Sequence, residues 1–195
     1  MKHEERTMKT KSELAAALKK LMKTHHLSEI TVGQIVAECN MNRKTFYYHF
    51  EDIYDLVHWI LSTEAVDMVA SFDLLGDYEA AIVFVMDYIE NNDYIICCAL
   101  DDMGRSTLKR FFYDDFINML RKNISQVTPE GTDEAYLDFV CKFYTHALVG
   151  MILEYTTDVN ERNREAHLKY TCEILRRSIP AIIGYNCCED DSVCE

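Results

Sequence analysis

Arg43 and Lys44 stand directly before Thr45, Phe46, Tyr47, Tyr48, His49 and Phe50. Two cations, two phenols, an imidazole and a hydroxyl within eight residues make a set suited to gripping a polyanion, not to bond-making. Ammonium, guanidinium, phenol and imidazole groups all donate to phosphate oxygens. A guanidinium also pairs with a guanine edge, and an aromatic ring can press on a thymine methyl. Arg43 is open to either use, the base edge or the phosphate. Phe46 and Phe50 are four apart, share one helical face and are expected to pack inward, leaving Tyr47, Tyr48 and His49 beside or opposite that face.

Side chains can be offered this way only if their segment is a short helix projecting from the fold. The preceding sequence predicts it. Thr31 with Gln34 three residues on reads as a capping box, and Ile30 with Ile35 as a hydrophobic staple, so a helix starts at Val32. Ile35, Val36 and Cys39 supply its buried side. Asn40 is the candidate for a left-handed residue that ends it. Start signals then repeat: Met41 precedes Asn42, a good N-cap, and Phe46 falls four residues beyond. A second helix therefore runs from Arg43 to about His49. A first helix over 8–25, closed by His25 and His26, completes a three-helix helix-turn-helix head.

The charge supports this reading. Residues 1–50 carry a net +4 while the remainder carries −17, a basic head on an acidic body. With two prolines and six glycines in 195 residues, long helices and short turns are expected. The fold class is all-α, with about nine helices. A fourth helix starts at Ile53 with Asp52 as cap. Two apolar segments meet near Asn91 and Asn92, the second ending near Gly104. Further helices span 106–126, 133–157 and, with Asn160 as cap, about 161–179, where Pro180 ends or kinks the last one.

Other chemistry finds little support. The sequence has no glycine-rich phosphate loop, nucleophile elbow or His-Glu-x-x-His pattern, so no catalytic residue is assigned. No metal ligand set and no cofactor are expected. The cysteines in apolar helical stretches read as small buried hydrophobes, and those of the acidic 185–195 tail as part of a disordered end. No run of 18 apolar residues occurs, which predicts no membrane span, and a cytoplasmic location is expected.

Over residues 8–60 the chain resembles the TetR/AcrR family of bacterial transcriptional regulators. The likeness rests on Thr31, Met41, Asn42 and the Thr-aromatic-Tyr-x-His-Phe pattern at Thr45, Phe46, Tyr47, His49 and Phe50. It implies that Thr31, Thr45, Tyr47 and His49 hold phosphates. Arg43, Lys44 and Tyr48 would face bases, with Asn42 beside them. The chain departs from the family's pattern in carrying Cys39-Asn40 where Ala-Gly is usual, and Glu51 and Ile53 where lysines often follow the recognition helix. The second departure implies weaker nonspecific binding and a shallower salt dependence. Glu51 to Leu56, with the short body, is also loosely similar to a subgroup linked to dihydroxyacetone-kinase operons, in which the body can bind a protein partner.

The resemblance further implies a DNA-binding domain over 1–52 and a helical ligand-binding and dimerisation domain over 53–184. Pocket candidates are Trp59, Phe84, Tyr88, Met103, Phe112, Phe116, Phe143 and Tyr144. Dimer-interface candidates are Phe143, Ala147, Gly150, Met151, Leu168, Cys172, Leu175 and Ile179. The partners expected are a palindromic double-stranded DNA operator, a second copy of the chain and a small-molecule effector, with no membrane. The function expected is a dimeric repressor released by a ligand. The alternative is a co-regulator whose acidic body binds a partner protein, DNA contact being secondary.

Overall fold

The computed structural model describes residues 2–72, 77–129, 131–157 and 162–183. Among the described residues all regular structure is helical. The helices are α1 (Lys2–Met22), α2 (Val32–Glu38), α3 (Arg43–His49), α4 (Ile53–Leu61), α5 (Tyr78–Asn91), α6 (Asp93–Met103), α7 (Arg105–Val127), α8 (Glu134–Thr157) and α9 (Arg164–Ile183). A single 3₁₀ turn, Leu27–Glu29, precedes α2, and α4 runs on through a π-helical turn, Ser62–Val66, into Asp67–Val69. The all-α expectation and its nine helices hold.

The turn between α2 and α3 is built as the sequence predicts, and more completely. Asn40 has φ 53°, the one positive φ at a non-glycine residue among those described. The Met41 amide donates to the Val36 carbonyl at 2.8 Å and the Asn40 amide to the Ala37 carbonyl at 3.3 Å. These two bonds around a left-handed residue form a Schellman motif, which satisfies the carbonyls that a helix end leaves orphaned. The Thr31–Gln34 capping box is present, and Asn42 caps α3 by accepting from the Thr45 amide.

Two expected boundaries move. α1 begins at Lys2 instead of residue 8 and ends at Met22 instead of 25. Its first turn holds Glu4 and Glu5, which favour the positive end of the helix dipole. The amides of Thr24 and His25 bond back to the Leu21 carbonyl, so His25 and His26 lie in the connection beyond the helix. α9 starts at Arg164, where Asn163 Oδ1 accepts from the Ala166 amide at 3.0 Å. It passes through Pro180, which has no N–H to give the helix, to Ile183. The Asn160 cap and the 185–195 tail lie outside the described residues.

The chain forms two compact units, Met1–Asp67 with Tyr88–Leu108, and Met68–Asp87 with Lys109–Glu195. In the first, Leu14, Leu18, Ile35, Phe46, Leu56 and Ile60 are wholly buried. α6 packs against α1 and the 3₁₀ turn, and the Ser28 amide donates to Asp102 Oδ2 at 3.2 Å. In the second, Val140, Tyr144 and Leu175 form a buried cluster with Tyr78, Ile82, Leu120, Ile124 and Ile179 around it. Arg164 bonds Asp87 at 2.6 Å, and Asp138 is paired with both Arg121 and Lys142.

A left-handed backbone with a Cβ costs about 1–2 kcal/mol, least for Asn and Gly. Asn40→Val is therefore expected to lose about 1–2 kcal/mol in urea unfolding, and Asn40→Gly to lose nothing. Equal midpoints for the two variants would contradict the turn.

Candidate nucleic-acid interface

Seven residues are too few to hold a helix in water unaided. α3 is held by its cap and by two rings. Asn42 Oδ1 accepts from the Thr45 amide at 2.9 Å and from the Thr45 hydroxyl at 3.2 Å. Phe46 is fully buried and Phe50 nearly so, with the Phe50 ring 6.0 Å from that of Trp59. Fixing these two inward turns the intervening residues out: Tyr47 is 59% exposed and Tyr48 73%. Arg43 and Lys44 are exposed in the first turn, while Thr45 and His49 are half-buried at the edge.

The expected contact residues of α3 thus lie away from its buried Phe46, with Thr31 at the start of α2, but they are not equally free. The Thr31 hydroxyl donates to Gln34 Oε1 at 2.7 Å, and Asn42 and Thr45 are engaged with each other. These three build the helix starts. Arg43, Lys44, Tyr47 and Tyr48 are the open donors. Arg43 has a partner the sequence did not reveal. A Cβ on Gly33 would lie 2.7 Å from Arg43 Nη2, so the bare glycine in α2 makes room for the guanidinium.

Lys11 was also invisible to a local reading. Its Nζ lies 5.2 Å from the Phe50 ring centre and 5.7 Å from that of Trp59, a cation–π arrangement reaching across 39 residues of sequence. Burial, and the Lys11 charge, push the His49 imidazole below its ordinary pKa. Both effects favour the neutral imidazole.

The residues after α3 build the start of α4. Asp52 Oδ1 accepts from the Asp55 amide at 2.8 Å, and Asp55 Oδ2 from the Glu51 amide at 3.0 Å. Acids at the start of α4 cap it and suit its dipole.

Known families match both parts of the chain. The description "Bacterial regulatory proteins, tetR family" covers residues 14–60, and "Transcriptional regulator C-terminal region", a TetR-type region, covers 76–176, over half the chain. The chain belongs to the TetR family. A TetR-family protein is a DNA-binding transcriptional regulator and not an enzyme. The HTH-type dhaKLM operon transcriptional activator DhaS of Lactococcus lactis subsp. lactis (strain IL1403) is 22% identical over 151 residues, spanning 74% of this chain and 78% of that protein. Among solved structures, the dihydroxyacetone kinase operon activator DhaS superposes with a TM-score of 0.67 at 19% identity, covering 88% of this chain and 97% of that one. NalD, the secondary repressor of the MexAB-OprM multidrug efflux pump in Pseudomonas aeruginosa, gives 0.56 at 16% identity, covering 87% and 96%. These last two show the shared fold.

In this TetR-family chain the body candidates are distributed as follows. Trp59, Tyr88 and Met103 belong to the first unit, and Phe84, Phe112, Phe116, Phe143 and Tyr144 to the second. Tyr88 donates to Glu64 at 3.3 Å, and burial and that carboxylate hold its phenol protonated. Phe112 and Phe116 are buried, and Phe84 lies against Phe72. Tyr144 and Leu175 are in the buried cluster, with Ile179 against it. Phe143 and Ala147 are exposed, Met151, Leu168 and Cys172 half-buried, and a Cβ on Gly150 would meet open space. The sequence reading passed over three exposed apolar side chains, Phe139, Tyr170 and Ile174. No group of three metal-ligating side chains is gathered among the described residues. His146 is exposed, its ring 4.6 Å from that of Tyr113.

Because the folded pKa of His49 is lowered, the unfolded chain binds its proton at higher pH than the folded one does. Stability supplied by a neutral His49 is present above the ordinary imidazole range and is lost as pH falls through it. NMR titration is expected to place His49 below about 6.5, and His49→Gln to flatten the fall in stability between about pH 7.5 and 5.5. A His49 titrating at or above the ordinary value would contradict this.

Proposed function

We infer that this TetR-family protein is a dimeric, sequence-specific regulator that binds a palindromic operator and acts as a repressor released by a small molecule. Residues 1–52 serve as the DNA-binding domain and 53–184 as the ligand-binding and dimerisation domain. The observation that carries the reading is the outward face of α3. Beyond a sharp turn at Asn40, it offers Arg43, Lys44, Tyr47 and Tyr48 together, with no core duty for any of them. A helix N-terminal half of this kind suits the major groove, where Arg43, Lys44 and Tyr48 address base edges. Tyr47 and His49 take phosphates, and Thr31, Asn42 and Thr45 keep the helix starts in register.

A second copy of the chain is supported by the outer face of α8 and α9. Phe139, Phe143 and Ala147 follow at four-residue intervals on α8, and Tyr170 and Ile174 do so on α9, all of them exposed. By length and composition α8 could cross a membrane. It also carries the ion-paired Asp138 and Lys142 and sends Val140 and Tyr144 into the core, which fits a helix that is half core and half subunit interface. Pairing α8 and α9 with their copies would cover these rings and bring two α3 helices to half-sites roughly 34–36 Å apart. The protein would work in the cytoplasm, where its operator is.

A second reading is favoured by the likeness to DhaS, whose description is that of an activator. In it the acidic body binds a protein partner and DNA contact is secondary.

Fluorescence anisotropy with duplexes from the protein's own promoter region separates the two. The first reading predicts binding by the dimer at low salt. Lys44→Ala is expected to weaken binding and relax the base preference at the position it faces, and Tyr47→Ala with His49→Ala to weaken binding about tenfold or more without loss of helicity. A folded dimer that ignores every promoter duplex would favour the second. Phe143→Glu and Ile174→Glu are expected to shift sedimentation from dimer to monomer, and unchanged sedimentation would remove that face from the interface.

A further inference from the structure

A pocket of about 390 Å³ opens within the first unit, lined by α1, the end of α4 with its π-helical turn, and the start of α6. None of its lining residues lies on α2 or α3. Its volume is within the range of small-molecule sites, about 300–1,000 Å³. Ala15, Ala16 and the rings of Trp59 and Tyr94 give it apolar walls. Lys19, Lys20 and Lys23 stand along one side, and Glu64 is the single carboxylate among the lining residues. A chain with a formal charge of −13 thus has a pocket whose own side chains are net positive.

The cations are differently engaged. Lys19 Nζ bonds Glu64 Oε2 at 2.7 Å, and that same oxygen accepts from the Tyr88 hydroxyl at 3.3 Å. Lys20 pairs with Glu38. Lys23 pairs with no carboxylate among the described residues, its Nζ instead lying 5.6 Å from the Tyr94 ring centre. The π-helical turn Ser62–Val66 supplies Thr63 and Glu64 to the lining. Such turns are rare and are found most often at functional sites, where the extra residue re-aims side chains.

The geometry points to a binding site for a small organic carboxylate with a flat apolar body. The body lies against Trp59 and Tyr94. The carboxylate takes the free ammonium of Lys23 and competes with Glu64 for that of Lys19. The lining offers ammonium point charges and no guanidinium fork, so an anion is held there by charge and not by a bidentate fork. Glu64 already shows that a carboxylate is accepted at Lys19. This site is independent of the DNA-binding reading, because its walls and charges involve neither α2 nor α3.

Trp59 is the only tryptophan in the chain, so its emission reports the pocket directly, with no DNA present. Benzoate and phenylacetate are the probes, their neutral amides the controls and inorganic phosphate a third arm. The carboxylates are expected to change Trp59 emission saturably, with the amides and phosphate at least about tenfold weaker, the loss of one charge-assisted contact. Lys23→Met should weaken benzoate several-fold and Lys23→Arg should restore most of it. Both should melt as the parent does, since Lys23 is exposed. No saturable change with either carboxylate would overturn the site. So would amides that bind equally well, or a folded Lys23→Met protein with parental affinity.

Discussion

Burial of the Phe46 ring is the contact on which the head depends. It is the one fully buried aromatic side chain on a helix of seven residues, and removing a buried phenylalanine typically costs about 3–5 kcal/mol. The cap at Asn42 contributes about 1 kcal/mol, too little to hold so short a helix against its ordering entropy. Once Phe46 is seated, the 3.6-residue period settles the rest: Phe50 comes in beside it, and Tyr47 and Tyr48 must go out. The same ring thus anchors α3 to the core and aims its outer face.

Two electrostatic demands meet at the end of that helix. A start for α4 is best capped by acids, and Asp52 and Asp55 do this with the Glu51 and Asp55 amides. Duplex DNA would prefer cations beside them, at positions 51 and 53, where this chain has Glu51 and Ile53. On α3 the positive charge open to a polyanion is that of Arg43 and Lys44, with Lys11 engaged by the Phe50 and Trp59 rings. Affinity must then come more from shape and from phenol and imidazole donors than from counterion release.

The head was legible in the sequence because its determinants are local. Thr31 with Gln34, and Asn40 followed by Asn42, each act within five residues, and each is found in the fold doing what its spacing predicts, while Ile30 and Ile35 are both buried. Phe46 and Phe50 declared their inward face by period alone. What was not legible depends on contacts between distant residues. Lys11 on the Phe50 ring, Gly33 under Arg43 and Glu64 between Lys19 and Tyr88 have no local signature. In the body, near-continuous apolar runs blur the helical period. Leu175 and Phe143 looked alike in sequence, yet one is buried and the other exposed, and Tyr170 and Ile174 went unnoticed. Pro180 reads as an end or a kink of the last helix, and the helix continues through it to Ile183.

The central claim is that the outer face of α3 lies in the major groove. Photocrosslinking to a promoter duplex carrying bromodeoxyuridine for thymidine tests it most directly, because the bromine occupies the position of the groove-facing methyl. The account predicts crosslinks that mass spectrometry maps to Lys44–Phe50, centred on Tyr48 and lost in Tyr48→Ala. Crosslinks mapping only to other helices of a DNA-bound protein would contradict it.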